Sequence, residues 1–150
     1  MRPPMKPLKP LDEALAELLA HAAPLAGSDT VATWDADGRV LTQDLVSPLQ
    51  VPPQDNSAMD GYAVRLSDLI AAAGAPLAVS QRIAAGAEGT DLQGGTVARI
   101  FTGAPVPPGA DTVVMQEEAQ AAADGHVAFA AVPPAGQHIR RAGDDVTLGA

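Results

Sequence analysis

Gln54-Asp55-Asn56-Ser57-Ala58-Met59-Asp60-Gly61-Tyr62-Ala63-Val64 places two carboxylates, an amide, a hydroxyl and a glycine within seven residues, then enters an apolar run. Asn, Asp and Ser side chains bond the nearby backbone, and Gly accepts positive φ. The chain is therefore expected to bend sharply here and gather its polar side chains before a strand begins. Downstream, residues 62–65 read as a strand and 67–73 as a short helical turn. Residues 76–83, 96–101, 111–116 and 126–131 are short apolar or alternating runs. Gly and Pro clusters at 85–86, 94–95, 103–109 and 133–136 separate them. Short strands with frequent turn signals indicate a small β barrel or sandwich. Residues 139–150 return to an extended pattern.

Upstream, Pro48, Pro52 and Pro53 mark a bend and a domain boundary. Residues 30–46 read two ways: as a hairpin around Asp37-Gly38, or as a short helix followed by a strand near Gly38-Arg39-Val40-Leu41. Residues 11–23 read as an amphipathic helix. Leu11, Ala14, Leu15, Leu18 and Leu19 share a face opposite Asp12, Glu13 and Glu17. The two acids in the first turn and His21 in the last suit the helix dipole, and Pro24 ends the pattern. Residues 1–10, with four prolines, are expected to be extended or disordered. The fold class is α+β, mainly β.

A chain of 150 residues holds one domain or two small ones. Its net charge of −9 disfavours nucleic acid, where Lys and Arg must replace counterions, and an anionic membrane surface. No Cys is present, so thiolate metal sites and cysteine nucleophiles are excluded. No apolar stretch is long enough to span a bilayer, and no apolar signal core follows the basic start. The cytoplasm is the expected location.

Three stretches carry possible chemistry. Asp55 and Asp60, five apart around a turn, can share a divalent cation, or one can cap the turn while the other is solvated. In Arg99-Ile100-Phe101-Thr102-Gly103-Ala104-Pro105-Val106-Pro107-Pro108-Gly109-Ala110-Asp111, a strand runs into a Thr-Gly turn. Its consecutive N–H groups can form an anion-binding concavity, or merely a turn. Arg140-Arg141-Ala142-Gly143-Asp144-Asp145 is a surface ion-pair turn or the lining of a cleft. Asp35 and Asp37 start like a calcium loop, but the remaining ligand positions are missing.

Together, in this order, the three blocks closely resemble the signatures of the molybdopterin molybdenumtransferase family, to which the C-terminal domain of gephyrin also belongs. They match as Asp55 to Ala63, Ile100 to Glu117 and Arg140 to Asp145. The likeness runs from about Leu11 to the last residue. Two positions depart from the pattern: Asp144 stands where Glu is common, and Gln54 where an aromatic is common.

The resemblance implies insertion of molybdate into adenylylated molybdopterin, with Mg²⁺ and release of AMP. It implies elongated homodimers and contact with other cofactor-biosynthesis proteins. It favours the helix-then-strand reading of residues 30–46. By position it points to Asp60, Thr102 and Asp145 as catalytic residues. Asp60 and Asp145 would handle the metal or molybdate, and Thr102 would hydrogen-bond an oxyanion. It also points to Ser57 and Gly103 as cofactor-binding positions. The expected division is a proline-rich start and helix over 1–26, part of an elongated connecting domain over 27–46, a β domain over 47–147, and a return to the connecting domain at 148–150. Family members continue into an α/β domain, so the chain is expected to be an N-terminal portion, inactive alone. In that case the helix's Leu face would be left bare. The other reading is a non-catalytic β module for protein binding or dimerisation.

Overall fold

The computed structural model describes residues 8–24 and 26–150. The first seven residues of the proline-rich start lie outside the described residues. The chain divides after Asp44 into two compact units.

In the first unit, α1 (Leu11–Ala20) carries the predicted leucine stripe. It is shorter than the predicted 11–23. His21 and Ala22 donate to Leu18 O and Leu19 O, tightening the last turn into i→i+3 bonds. Pro24 disfavours helical backbone at the residue before it, so the helix closes early. None of its residues is buried, and Leu11, Leu15, Leu18 and Leu19 are all exposed. Lys9 pairs with Glu17. Thr33–Asp35 forms a 3₁₀ turn, but the strand expected near Gly38 to Leu41 does not form. A strand needs a neighbouring ladder, and no described segment pairs with this one. The hairpin is likewise absent.

The second unit is built from β1 (Asn56–Ser57), β2 (Gly61–Val64), α2 (Leu66–Ala72), β3 (Leu77–Ile83), β4 (Thr96–Ile100), β5 (Thr112–Met115), β6 (Ala119–Ala121), β7 (His126–Phe129) and β8 (Ile139–Arg140). Six strands form one sheet in the order β5-β2-β4-β3-β7-β6. All neighbours are antiparallel except β3 and β4. The two edge strands are consecutive in sequence, joined by the 3₁₀ turn Gln116–Glu118. Laid flat, six strands about 4.8 Å apart would span roughly 24 Å. The link from Met115 to Ala119 reaches at most about 14 Å. The sheet must therefore curl, and it forms a half-barrel. The strand runs predicted downstream of the signature are all present; β6 and the short pair β1–β8 were not anticipated.

Both faces of the sheet are covered. One buries Ala63, Ala98, Ile100 and Val113 beneath Leu92 and Ala104 from the loops. The other buries Val64, Val97, Val114, Val127 and Phe129 with Leu69 of α2. This explains why β5 reads as a continuous apolar run, as strands buried on both faces do. In β3 the register slips between Val79 and Gln81 against β4. The extra residue, Ser80, is a bulge that switches side-chain parity. Leu77 and Val79 therefore join one core, while Ile83 joins the other.

Candidate functional site

The signature turn holds itself. Ser57 is 1% exposed, and its hydroxyl donates to Met59 O at 2.6 Å while accepting from the Met59 N–H at 3.3 Å. This closes the tight polar turn that the residue types predict. β1 pairs antiparallel with β8, Asn56 opposite Arg140 and Ser57 opposite Ile139. Asn56 also bridges Pro105. The first block is thereby stitched to both others. Gly61 ends the turn without positive φ, and its reason is space. A Cβ there would stand 2.0 Å from Val114 O, in the facing backbone of β5.

The Thr102-Gly103 turn offers a row of N–H groups, but all are spent internally. Thr102 N–H donates to Asp60 Oδ1 at 2.8 Å, Gly103 N–H to Ser57 O at 2.9 Å, and Ala104 N–H to Phe101 O at 2.9 Å. The anion in the concavity is the protein's own Asp60. Thr102 Oγ1 also donates to Asp60 Oδ1, at 2.8 Å. A threonine hydroxyl has one hydrogen to give. As arranged here, Thr102 holds Asp60 and has no donor left for an oxyanion. Gly103, at φ +79°, lets the turn form. Asp60 O accepts from Gln116 N–H at 3.0 Å, anchoring its backbone to the end of β5. The Thr102 N–H above all, then the Thr102 hydroxyl, and last the charge of Arg99 hold the Asp60 carboxyl below its ordinary range, against a smaller desolvation effect. Asp60 is thus an anion pinned by one oxygen. Its Oδ2 accepts no hydrogen bond from the described residues.

The third block engages Asp55 rather than Asp60. Asp55 Oδ1 accepts from Ala142 N–H at 2.9 Å, and Oδ2 meets Arg141 at 2.5 Å. The Ala142 N–H is the main cause that lowers the Asp55 carboxyl; partial burial opposes it, and Arg141 adds to it. Asp144 caps the same turn through the Arg141 N–H at 2.9 Å. Asp145 pairs with Arg140 at 2.6 Å, and its N–H donates to Val51 O. Asp55 and Asp60 therefore do not share a ligand; each is taken by a different block. Asp60, Thr102, Gly103 and Ser57 come together, whereas Asp145 is tied to the segment that enters β1.

Among the described residues, no group of three His, Asp or Glu side chains is placed to hold a metal ion. Mg²⁺ asks less of the protein: one or two carboxylates, with water and substrate oxygens completing the shell. The open oxygen of Asp60 fits that demand.

Two functions at this site were not legible in the sequence. Asp111, in the second block, accepts from the Leu66 N–H at 2.9 Å and so caps α2 across 45 positions. Arg99 donates to Gly61 O at 2.9 Å and to the Gln116 side chain at Oε1, 2.6 Å, linking the backbone just after Asp60 to the residue whose N–H Asp60 O accepts. The alternation of β4 signals which face Arg99 takes, but not what it meets there.

The family model describing the MoeA N-terminal region (domain I and II) matches residues 9–150. The molybdopterin molybdenumtransferase of Haemophilus influenzae is 37% identical over 148 residues, covering 93% of this chain and 34% of its own length. Molybdopterin molybdenumtransferase 2 of Mycobacterium tuberculosis is 41% identical over 149 residues, covering 97% and 36%. The crystal structure of the molybdopterin biosynthesis MoeA protein of Pyrococcus horikoshii OT3 superposes with a TM-score of 0.79 at 31% identity, covering 96% of this chain and 39% of that one. The chain spans about a third of the length of these curated relatives. It shares their half-barrel, and it belongs to the molybdopterin molybdenumtransferase (MoeA) family, matching its N-terminal region.

Proposed function

We propose that this chain forms one wall of a site that inserts molybdate into adenylylated molybdopterin and releases AMP. The observation that carries this reading is the Asp60 carboxylate, pinned by Thr102 where the first two signature blocks meet. Family membership and the relatives' names support the reaction class. The other wall lies in the further sequence of proteins of the relatives' length, so these residues alone are inactive. Residues 1–26 are the proline-rich start and N-terminal helix, 27–46 are part of an elongated connecting domain, 47–147 form the β domain, and 148–150 lead back to the connecting domain. The intact protein works in the cytoplasm as a homodimer and meets other cofactor-biosynthesis proteins.

In this reading Thr102 orients Asp60, and Ser57 and Gly103 shape the turn that presents it. Asp60 offers its open oxygen to Mg²⁺. When bound, the cation neutralises charge and lets anionic substrates approach aspartates in an acidic protein. Asp145, paired with Arg140 in the third block, would contribute to the electrostatics of the metal or molybdate site. Replacing Asp60 by Asn in the intact protein keeps the hydrogen-bonding shape but removes the charge. Molybdate-dependent cofactor formation should fall by about a hundredfold or more, with an unchanged circular dichroism spectrum. Unchanged activity would remove Asp60 from the mechanism. A complete absence of response to molybdate and the pterin nucleotide in the unmodified protein would favour a binding module instead.

A further inference from the structure

Residues 45–150 hold five arginines and no lysine. Three are paired with carboxylates: Arg65 with Asp68, Arg140 with Asp145, and Arg141 with Asp55. Arg82 and Arg99 have no carboxylate partner within salt-bridge distance among the described residues. They are nevertheless register partners on the adjacent parallel strands β3 and β4. Both lie over one ring: the guanidinium of Arg82 is 4.4 Å from the Phe101 centroid and that of Arg99 is 4.7 Å. Arg99 also lies 5.2 Å from the centroid of Tyr62. The pair arises from the Ser80 bulge, which turns Arg82 onto the face of Arg99.

Like charges directly opposite one another on a sheet are destabilising. A shared aromatic face offsets part of this repulsion. In a protein of net charge −9 acids are plentiful, yet among the described residues none lies within salt-bridge distance of either cation, Asp60 being the neighbour that feels the charge of Arg99. Arg82 is exposed, and its guanidinium donates no hydrogen bond to the described residues, so its planar fork is available. Phe101 immediately precedes Thr102, which puts the pair beside the pinned Asp60. Arginine forks match tetrahedral oxyanions bidentately; Arg82 offers its fork, while Arg99, whose two terminal nitrogens donate to Gly61 O and Gln116 Oε1, contributes mainly its charge.

We propose that Arg82 and Arg99, braced on Phe101, form an oxyanion subsite next to the Asp60–Thr102 pair. Its ligand is a doubly charged tetrahedral group, from molybdate or from a phosphoryl group of the second substrate. The proposal deepens the function proposed above and relies on it only for the choice of probes. The activity of the Asp60 variant tests that function; an anion titration tests the subsite, and either can fail without the other.

The experiment is calorimetric titration of the 150-residue chain at low ionic strength with molybdate and, separately, with inorganic pyrophosphate. At least one should bind with one-to-one stoichiometry and weaken as salt is raised. Arg82→Gln should weaken binding at least tenfold without changing the circular dichroism spectrum. Arg82→Lys, which keeps the charge but loses the fork, should fall between. A preference for molybdate assigns the subsite to the metal oxyanion, and a preference for pyrophosphate assigns it to the phosphoryl group. Binding of neither probe, or equal binding by Arg82→Gln, would overturn the proposal.

Discussion

Gly61→Ala adds one methyl group where β2 and β5 nearly touch. The new Cβ would lie 2.0 Å from Val114 O and 2.9 Å from Val114 C, both backbone atoms that cannot rotate away. Ordinary contact begins near 3.4 Å, so the strands must part by more than an ångström at this end. That disturbs the pairs Gly61↔Met115 and Tyr62↔Val114. Losing two ladder hydrogen bonds costs about 2 kcal/mol, and overpacking adds about 1–3 kcal/mol. The reduced freedom of the unfolded chain returns about 0.4–1 kcal/mol. The net loss is about 2–4 kcal/mol. Urea unfolding of the 150-residue chain, followed by circular dichroism, reads it directly. The perturbation should also displace Asp60, the preceding residue, from Thr102. A loss smaller than about 0.5 kcal/mol, typical of an ordinary surface change, would refute the close-approach argument.

Other consequences follow from the core and the carboxylates. Ile100 is fully buried at the centre of one core, and Ile100→Ala should cost about 2–5 kcal/mol in the same assay. Deleting Ser80 removes the bulge but leaves Gln81, Arg82 and Ile83 opposite Ala98, Arg99 and Ile100, so Ile83 keeps its core and cooperative unfolding should persist. Asp55 and Asp60 have folded pKa values below their ordinary 3.8. Their contribution to stability is present above that value and lost as pH falls through the folded values. Stability should therefore drop in acid below about pH 4, the range expected of carboxylates. Asp55→Asn should flatten that part of the pH profile.

The strands of the half-barrel were legible because short apolar runs between Gly and Pro clusters have few alternatives. The curl was less so, since it follows from Gln116–Glu118 being too short to join the edges of a flat sheet. The bulge at Ser80 breaks the period on which strand reading rests. It hid the fact that Ile83 and Leu77 serve different cores. At the site, the residue types of the signature announced a polar turn. They did not distinguish an anion-binding concavity for a ligand from one filled by Asp60. Gly61 illustrates the same limit: sequence assigns glycine to positive φ, whereas here the requirement is room beside Val114, which only strand pairing reveals. Residues 30–46 misled because pattern proposes a strand but cannot supply its partner.

The central claim is that Asp60 and Thr102 act as one unit in molybdate insertion. The most direct measurement is a double-mutant cycle in the intact protein, with Asp60→Asn, Thr102→Val and both together. Its readout is molybdate-dependent AMP release from adenylylated molybdopterin. Residues that act as a unit are non-additive. The account predicts that each single change lowers the rate by about a hundredfold or more, and that the double variant is little worse than Asp60→Asn. Two losses that simply multiply, or a Thr102→Val variant with full activity, would contradict it.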